Sequence, residues 1–414
     1  MKKIFRLFDS CRRFVLAAVV LGVATAAVFA LQHSIGRVVD IYCEQGLSGV
    51  YRKVTKQPSI VWETATAGTV DIDEERLDQL RCDLVAKNTQ VFVVVRRNRI
   101  VCEWYAQEPG HWCLFDLAAI PKSVIASLLL AVALDEGWVE LDDPVSQYIP
   151  QWKNDPIRSK ITIRQLASHS SGLDDVDFQN LVPGWKTDYV ENRRSRFSYA
   201  LNRIDLLYEP GSRYSYSGVG FYVLSYALTA RLRDTPYRDL RSVLEERVML
   251  PIGIHADDWK GYDGPHDIDG MTLYAIGSGW VYSARAVARI GQLVVNEGQW
   301  DGKSLIGREH IRAITSYAES PRERGRTPSE PAAGLGWWIN DELYWPSLPR
   351  DAIVGIGSGH QLLLVVPSLE LVVVRQGKSL TGRGVFGEPF WRELEEHIFK
   401  PLMATIRVTA SVGP

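Results

Sequence analysis

The sequence has almost no net charge, no long run of like charges and no internal repeat. Its 414 residues include 47 Lys and Arg against 49 Asp and Glu, a formal net charge of −2. Proteins that bind nucleic acid carry a clear basic excess, so this composition argues against a nucleic-acid partner. With 46% hydrophobic residues, the chain can bury a large core in one big domain or in two lobes.

Cysteine is scarce, with five residues in the chain. Cys11 precedes an apolar segment, whereas Cys43, Cys82, Cys102 and Cys113 would enter an oxidising compartment after export. Four cysteines allow three pairings, and the pairing stays open. Cys102 and Cys113 flank one short loop and are the local candidate pair, while four reduced, buried thiols are the alternative. No Cys/His spacing resembles a zinc site, and we expect neither a metal nor an organic cofactor.

The N-terminus is typical of an export segment. Its basic residues are Lys2, Lys3, Arg6, Arg12 and Arg13. Residues 14–31 are almost wholly apolar, which predicts that residues 1–31 are either a cleaved signal peptide or, favoured by their length, an N-terminal membrane anchor. The basic flank places the body outside the cytoplasm, so we expect a periplasmic or otherwise extracytoplasmic protein, held at the inner membrane if the segment is kept. Residues 32–72 are predicted to be a spacer.

Hydrophobic patterns predict strands near both ends of the remaining chain, with helices between them. The predicted elements include a helix over 73–87, a hairpin of 91–95 with 100–105, late strands over 361–367 and 369–375, and a last helix over 390–403. This order predicts one sheet completed by distant segments, with a helical insertion.

The most apolar helix is predicted over residues 119–135. Between Val124 and Leu134 the one polar residue is Ser127, and the run is too short to span a bilayer. Pro121 suits the first turn and Gly137 suits the end of this helix. Free N–H groups and the positive dipole end at its start favour negative charge that develops there.

Lys122 is the cation at that helix start. A lone first-turn lysine ordinarily reaches solvent, but a buried lysine with a lowered pKa can act as a general base. Such a base would activate a hydroxyl one turn earlier on the same helix face. That position is Ala119, which has no hydroxyl.

Six segments, in order along the chain, resemble the signatures of the serine β-lactamase-like family, which includes class C β-lactamases, D-alanyl-D-alanine peptidases, esterases and nylon-oligomer hydrolases. The segments are 115–122 at the family's Ser-x-x-Lys, 141–150, 169–173 at His-Thr/Ser-Ser-Gly-Leu, 216–218 at Tyr-x-Asn, 279–288, and 355–361 at the glycine-rich third motif. The likeness runs from about Asp73 to Pro401.

The resemblance implies an α/β (α+β) fold of the β-lactamase/DD-peptidase type, with an antiparallel sheet flanked by helices and a mainly helical lobe. The implied domain covers residues 73–403, with a sheet lobe over about 73–118 and 271–403 and a helical lobe over about 119–270. Residues 404–414 would be a tail.

The resemblance also implies a site for acyl transfer, in which a serine attacks an ester or amide carbonyl. Lys122 would be the base and Tyr216 the proton shuttle, although Tyr216 could equally belong to an aromatic packing cluster. The backbone N–H groups of Ala119 and of Ser358 or a neighbour would form the oxyanion hole. The implied substrate-binding residues are Gly218, Gly357, Ser358, Gly359 and His360. His169 is interpreted as a capping or core histidine.

Three positions depart from the family pattern. Ala119 replaces the nucleophilic serine, Gly218 replaces an asparagine, and His360 stands where glycine is common. Ser123 lacks a lysine one turn later, and Ser170 and Ser171 belong to another motif, so none is expected to substitute.

Two functions remain open from the sequence. The chain is either a hydrolase-family protein for ester, amide or peptide substrates whose acyl-transfer chemistry is crippled by alanine at position 119, or a natural pseudoenzyme that serves as an exported binding or regulatory protein. The expected partner in both cases is a small ester, amide or peptide ligand, with the membrane as a second partner if residues 1–31 are retained.

Overall fold

A computed structural model describes residues 60–106, 110, 113–175, 196–318, 330–382 and 388–407. The predicted export segment, Cys11 and Cys43 lie outside these residues. Within the described part of the chain, no helix has the length and apolar character needed to cross a membrane.

Fourteen strands are found among the described residues. They are β1 (Thr89–Arg96), β2 (Arg99–Tyr105), β3 (Phe115–Asp116), β4 (Trp259–Gly261), β5 (His266–Ile268), β6 (Met271–Leu273), β7 (Trp280–Tyr282), β8 (Gln299–Trp300), β9 (Lys303–Ser304), β10 (Ala332–Ala333), β11 (Trp338–Ile339), β12 (Ile353–Gly357), β13 (Gln361–Val366) and β14 (Leu371–Gly377). Seven of them form one antiparallel sheet in the order β10-β11-β12-β13-β14-β1-β2. The early hairpin therefore joins the late strands, which confirms the predicted sheet.

The described residues form ten α-helices. They are α1 (Glu74–Ala86), α2 (Ser127–Asp135), α3 (Ile163–Ala167), α4 (Arg196–Asn202), α5 (Val219–Arg231), α6 (Leu240–Leu244), α7 (Ala284–Val295), α8 (Arg308–Thr315), α9 (Glu388–Leu394) and α10 (Lys400–Met403). The last predicted helix, over 390–403, is thus two α-helices joined by a π-helical segment, Glu395–Phe399.

Both faces of the large sheet are covered, which explains why its central strands are continuous apolar runs rather than alternating ones. In β1, Val91, Val93 and Val95 point into one core with α7, whereas Phe92 and Val94 point into the other with α1 and α9. Successive side chains of a strand alternate between faces, so each strand supplies both cores.

The central helix begins slightly later than the sequence predicted. A π-helical segment, Lys122–Ala126, leads into α2, and all of its residues are buried. The segment is buried from Lys122 to Ala133, so the fold wraps this helix as expected.

The folded body extends past the boundaries drawn from the sequence. Ile60 is 1% exposed and belongs to the main core, and Ile72 forms a β-bridge with Ile406. The last residues of the predicted spacer thus pack against the first residues of the predicted tail. The sequence did not predict this, because a short polar segment without periodicity can still contribute a single buried residue to a core.

The local cysteine pair suggested by the sequence is not formed. Cys102 is a free thiol in the structure, and Cys82 is free and exposed. Burial raises the pKa of the Cys102 thiol to about 11, so this thiol stays protonated at neutral pH.

Candidate active site

The turn before the central helix is held from two sides. Strand β3 pairs with β7, and the N–H of Leu117 donates to the carbonyl of Trp280. The Asp116 carboxylate accepts the N–H of Ala118 at 2.7 Å, and Ala118 has a φ of +50°. This left-handed residue reverses the chain directly before Ala119, so a short, rigid corner places that residue.

The end of β12 runs directly against this corner. A Cβ at Gly357 would lie 2.5 Å from the carbonyl oxygen of Leu117 and 3.0 Å from the amide nitrogen of Ala119. Position 357 therefore requires glycine, because any side chain would push the strand away from the Ala119 backbone.

Lys122 is buried rather than solvent-exposed. Its side chain is 7% exposed, and Nζ donates to the carbonyl oxygen of Gly277 at 3.1 Å. The same nitrogen lies 5.0 Å from the ring centroid of Tyr216 and 5.3 Å from that of Phe221. Burial lowers the pKa of Lys122 to about 8, and the charge of Asp175 opposes this shift. The structure thus brings the predicted base and the predicted proton shuttle together.

Tyr216 stands in an aromatic stack. Its ring lies 4.4 Å from that of His169 and is nearly parallel to the ring of Trp338, 6.4 Å away. Burial raises the pKa of the Tyr216 phenol, as do the nearby Asp175 and Glu330. The phenol is therefore protonated at neutral pH.

His169 supports this stack from the end of the α3 segment. It has a φ of +59°, and its Nδ1 accepts the N–H of Ser217 at 3.0 Å. Burial, together with the charge of Lys122, lowers the pKa of His169 to about 3. The imidazole is thus neutral and packed, in line with the predicted core histidine.

A small cavity of about 10 Å³, enough for roughly one water molecule, opens at these groups. Its wall includes Ala119, Lys122, Ser123, His169, Tyr216 and Trp338. Ala119 presents a methyl group to the cavity, and the Ser123 hydroxyl donates to the carbonyl oxygen of Gly336 at 2.6 Å. Ser123 is 2% exposed and is held by that bond, so it cannot act as the missing nucleophile without breaking it.

The third-motif loop, Ser358–His360, follows β12. Ser358 is exposed, and Gly359 and His360 have φ values of +75° and +58°. The His360 imidazole is fully buried, stacks on Phe390 at 4.1 Å and accepts the N–H of Leu380 at Nδ1. The structure therefore turns the His360 side chain toward α9, so its buried imidazole does not make the substrate contact expected from the sequence.

Sequence reasoning missed Asp175. Its Oδ1 accepts the N–H groups of Gly218 at 2.9 Å and Val219 at 3.3 Å, at the N-terminus of α5. The signal that could have found it is an acidic pair, Asp174 and Asp175, directly after the His169–Leu173 motif. Trp338 was also missed as a wall of the cavity, because its neighbours in the sequence indicate only a strand.

Residues 78–376 match the sequence profile of the Beta-lactamase family, which is more than half of the chain. The chain therefore belongs to this family, and the resemblance deduced from its motifs is confirmed.

Curated relatives agree with this assignment. An uncharacterized protein of Alkalihalophilus pseudofirmus is 25% identical over 328 residues, which are 72% of this chain and 84% of that protein. The D-alanyl-D-alanine-carboxypeptidase/endopeptidase AmpH of Escherichia coli strain K12 is 31% identical over 271 residues, 59% of this chain and 64% of AmpH. The match thus spans less than two thirds of AmpH.

Solved structures share the fold. A penicillin-binding protein homolog from Caulobacter crescentus has a TM-score of 0.59 at 17% identity, covering 81% of this chain and 98% of its own. EstCE1, a hydrolase with promiscuous acyltransferase activity, has a TM-score of 0.59 at 16% identity, covering 78% and 98%. At these identities the likeness is one of fold, namely a β-lactamase and penicillin-binding-protein type of serine-hydrolase fold.

Proposed function

We propose that this protein is an exported pseudoenzyme that binds an ester, amide or peptide ligand and does not form an acyl-enzyme. The observation that carries the proposal is the methyl group of Ala119 beside an otherwise assembled pair, Lys122 and Tyr216. Covalent acyl transfer needs an attacking oxygen at this position. Removal of the nucleophile costs roughly a million-fold in turnover in a serine protease.

The neighbouring hydroxyls do not replace it. Ser123 donates to the Gly336 carbonyl, and the Ser170 hydroxyl is 3.0 Å from that of Ser168. Ser171 is 1% exposed, and its Oγ accepts the N–H of Leu173. Each of these serines is buried and engaged within the protein.

The ligand class is inferred from the donors and walls of the cavity. Lys122 offers a cationic N–H group, and the rings of Tyr216, His169 and Trp338 form an apolar wall. Such a site suits a carbonyl oxygen next to an apolar group. The names of AmpH and EstCE1, a peptidase and an acyltransferring hydrolase, support the same class.

Export is part of the proposal and rests on residues 1–31. The body would act in the periplasm or elsewhere outside the cytoplasm, either released after cleavage or anchored in the inner membrane.

Binding without turnover can be measured directly on the full chain. Three probes are added: a peptide ending in D-Ala-D-Ala, a simple N-acyl amide and an aryl ester. Calorimetry reports binding, chromatography reports hydrolysis, and intact-protein mass reports acylation. We expect at least one probe to bind reversibly, with no adduct and no product.

Two outcomes would overturn the proposal. One is that none of the probes binds. The other is turnover by the wild-type chain with a covalent adduct, and the Ser123→Ala variant then shows whether that hydroxyl is the nucleophile.

A further inference from the structure

The hydrogen-bond acceptor of Lys122 belongs to a short turn, residues 275–279. Nζ of Lys122 donates to the carbonyl oxygen of Gly277 at 3.1 Å. A Cβ built on Gly277 would lie 2.9 Å from Cβ of Phe221 and 3.6 Å from Nζ of Lys122, so the backbone of the turn packs closely on both groups. The place of this carbonyl therefore depends on what holds the turn.

Both ends of the turn are hydrogen-bonded to the chain that follows β4. The N–H of Ala275 donates to the carbonyl oxygen of Asp263 at 3.1 Å, and the N–H of Tyr262 donates to the carbonyl oxygen of Gly279 at 2.8 Å. Gly279 has a φ of +83°, and a Cβ there would lie 2.5 Å from Cβ of Asp263. The chain at Asp263 thus bounds the turn and requires glycine opposite it.

The carboxylate of Asp263 contacts three side chains inside the protein. Asp263 is 2% exposed, and its Oδ2 accepts hydrogen bonds from Nη1 of Arg196 at 3.0 Å and from the Tyr222 phenol at 2.9 Å. Its Oδ1 lies 3.0 Å from Nε2 of His266. Burial raises the pKa of this carboxyl, but the hydrogen bond with His266, the charge of Arg196 and the phenol bring it below its ordinary value. The carboxyl is therefore ionised at neutral pH.

The three partners of this carboxylate come from three elements, α4, α5 and β5. Tyr222 is the partner in α5, and it directly follows Phe221. Phe221 packs on Gly277, and its ring centroid lies 5.3 Å from Nζ of Lys122. Asp263 therefore bounds the turn through its backbone and fixes the opposing helix through its carboxylate.

We propose that Asp263 is a positioning residue, whose carboxylate holds the 275–279 turn and α5 together so that the Gly277 carbonyl stays within hydrogen-bonding distance of Lys122. The role is one of position rather than charge, because among the described residues the charge that acts on the pKa of Lys122 is that of Asp175. At a site that binds a carbonyl compound, this placement sets where the ammonium meets the ligand. That consequence rests on the proposed function, whereas the placement of the lysine does not.

Two variants separate position from charge. Asp263→Ala removes all side-chain contacts of the carboxylate. Asp263→Asn removes the charge, but its amide oxygen can still accept hydrogen bonds from Arg196 and Tyr222. Its amide nitrogen can donate to Nε2 of His266 in the tautomer that accepts there. If Asp263 acts by position, the asparagine variant rescues most of what the alanine variant loses.

Glu103→Ala is the matched control. Glu103 is also a largely buried carboxylate that accepts hydrogen bonds from an arginine and a tyrosine, Arg285 and Tyr105, each at 2.7 Å. These partners belong to α7 and β2. Loss of Glu103 should therefore destabilise the protein in a comparable way while it leaves the 275–279 turn in place.

The readout is the titration of Lys122, followed by NMR on lysine-labelled protein, with the signal assigned by its loss in Lys122→Met. A carbonyl that accepts from an ammonium favours the charged form, so its removal lowers the midpoint. We expect a fall of about one pH unit in Asp263→Ala and a change of less than about 0.3 unit in Asp263→Asn and Glu103→Ala. A merely structural carboxylate would lower stability and leave this midpoint unmoved.

Three results would overturn the proposal. One is an unchanged midpoint in folded Asp263→Ala. Another is an equal shift in the alanine and asparagine variants, which would mean that charge acts on the lysine. The third is an equal shift in Glu103→Ala, which would mean that any loss of stability moves it. If Asp263→Ala does not fold, Tyr222→Phe decides, since it removes one donor and keeps the ring. Its midpoint should fall by about half a unit, and an unmoved midpoint contradicts the proposal.

Ligand binding by the same proteins separates this proposal from the proposed function. Calorimetry uses the D-Ala-D-Ala peptide, the N-acyl amide and the aryl ester. A probe that binds the wild type should bind several-fold more weakly to Asp263→Ala and nearly as well to Asp263→Asn. Equal affinities would contradict the consequence for the ligand. If the Lys122 midpoint shifts as expected but no probe binds the wild type, the proposed function fails and the role of Asp263 stands.

Discussion

Lys122 and Arg375 are both buried cations, and their surroundings are opposite. Arg375 is fully buried in β14 and donates to five oxygens, all of them neutral. Two of these oxygens are the carbonyls of Gly359 and His360, at 2.9 and 2.8 Å. Within the part of the chain that the structure describes, Lys122 donates to one carbonyl and borders a cavity.

On the proposed function, this difference distinguishes Arg375 as a structural cation from Lys122 as a ligand-binding one. A buried cation whose N–H donors are all hydrogen-bonded stabilises the groups that it joins. A buried cation with N–H donors that lack acceptors lowers the stability of the fold, and a ligand that supplies an acceptor can offset this loss. Burial of a cation alone therefore does not indicate a ligand-binding site. A buried cation indicates such a site when it borders a cavity and has N–H donors without acceptors.

The largest expected effect is at Arg375. Arg375→Met leaves the carbonyls of Gly359, His360 and Lys378 without their donor, so we expect the free energy of unfolding to fall by at least about 4 kcal/mol. Urea denaturation measures this. Arg96→Met is the control, since Nε and Nη1 of buried Arg96 have no hydrogen-bond partner among the described residues, and its effect should be within about 1 kcal/mol. Equal losses in the two variants would contradict the comparison.

Lys122→Met should change the free energy of unfolding in the opposite direction. Because burial lowers the pKa of Lys122 to about 8, the ammonium is a cost to the folded state at pH 7. We expect the variant to be as stable as the wild type or more stable by up to about 3 kcal/mol, while ligand binding is lost. Denaturation and calorimetry on the same preparation test both halves, and a strongly destabilised variant would show that the lysine is structural.

The pH dependence of wild-type stability follows from the same lowered pKa of Lys122. Below about pH 8 the lysine is charged in both states, and the full penalty is present. Between about pH 8 and the ordinary lysine value of 10.5, the unfolded state binds more protons, so stability rises with pH. The difference in the free energy of unfolding between wild type and Lys122→Met should therefore shrink to zero over this range. A gap that stays constant from pH 7 to 10.5 would refute the assignment.

The smallest expected effect is at His360, whose carbonyl oxygen accepts a hydrogen bond from Arg375. Its φ of +58° favours glycine. His360→Gly and His360→Ala remove the same contacts with Phe390, but alanine keeps the left-handed strain, so the glycine variant should be more stable by about 1 kcal/mol. Thermal unfolding of the two proteins measures this difference, and equal stabilities would mean that the loop adapts.

The sequence predicted the features of the molecule that depend on order and local pattern. The Lys122–Tyr216 pairing followed from the motifs, and the sheet followed from apolar runs near both ends of the chain. The packing of Ile60 and Ile72 could not be predicted, since single residues in an aperiodic stretch carry no signal.

The direction of individual side chains also could not be predicted from the sequence. Asp175 precedes Gly218 by a long stretch of chain, and their contact depends on how α5 docks rather than on any spacing. The inward turn of the His360 side chain likewise depends on α9, which follows it in the chain.

The most direct test of the central claim is the Ala119→Ser variant, read by intact-protein mass after treatment with a fluorophosphonate. We expect no adduct on the wild type and one adduct on the variant, located at the introduced serine by peptide mapping and abolished by adding Lys122→Met. An adduct on the wild type, or none on a folded variant, would contradict the view that a single missing oxygen separates this site from acyl transfer.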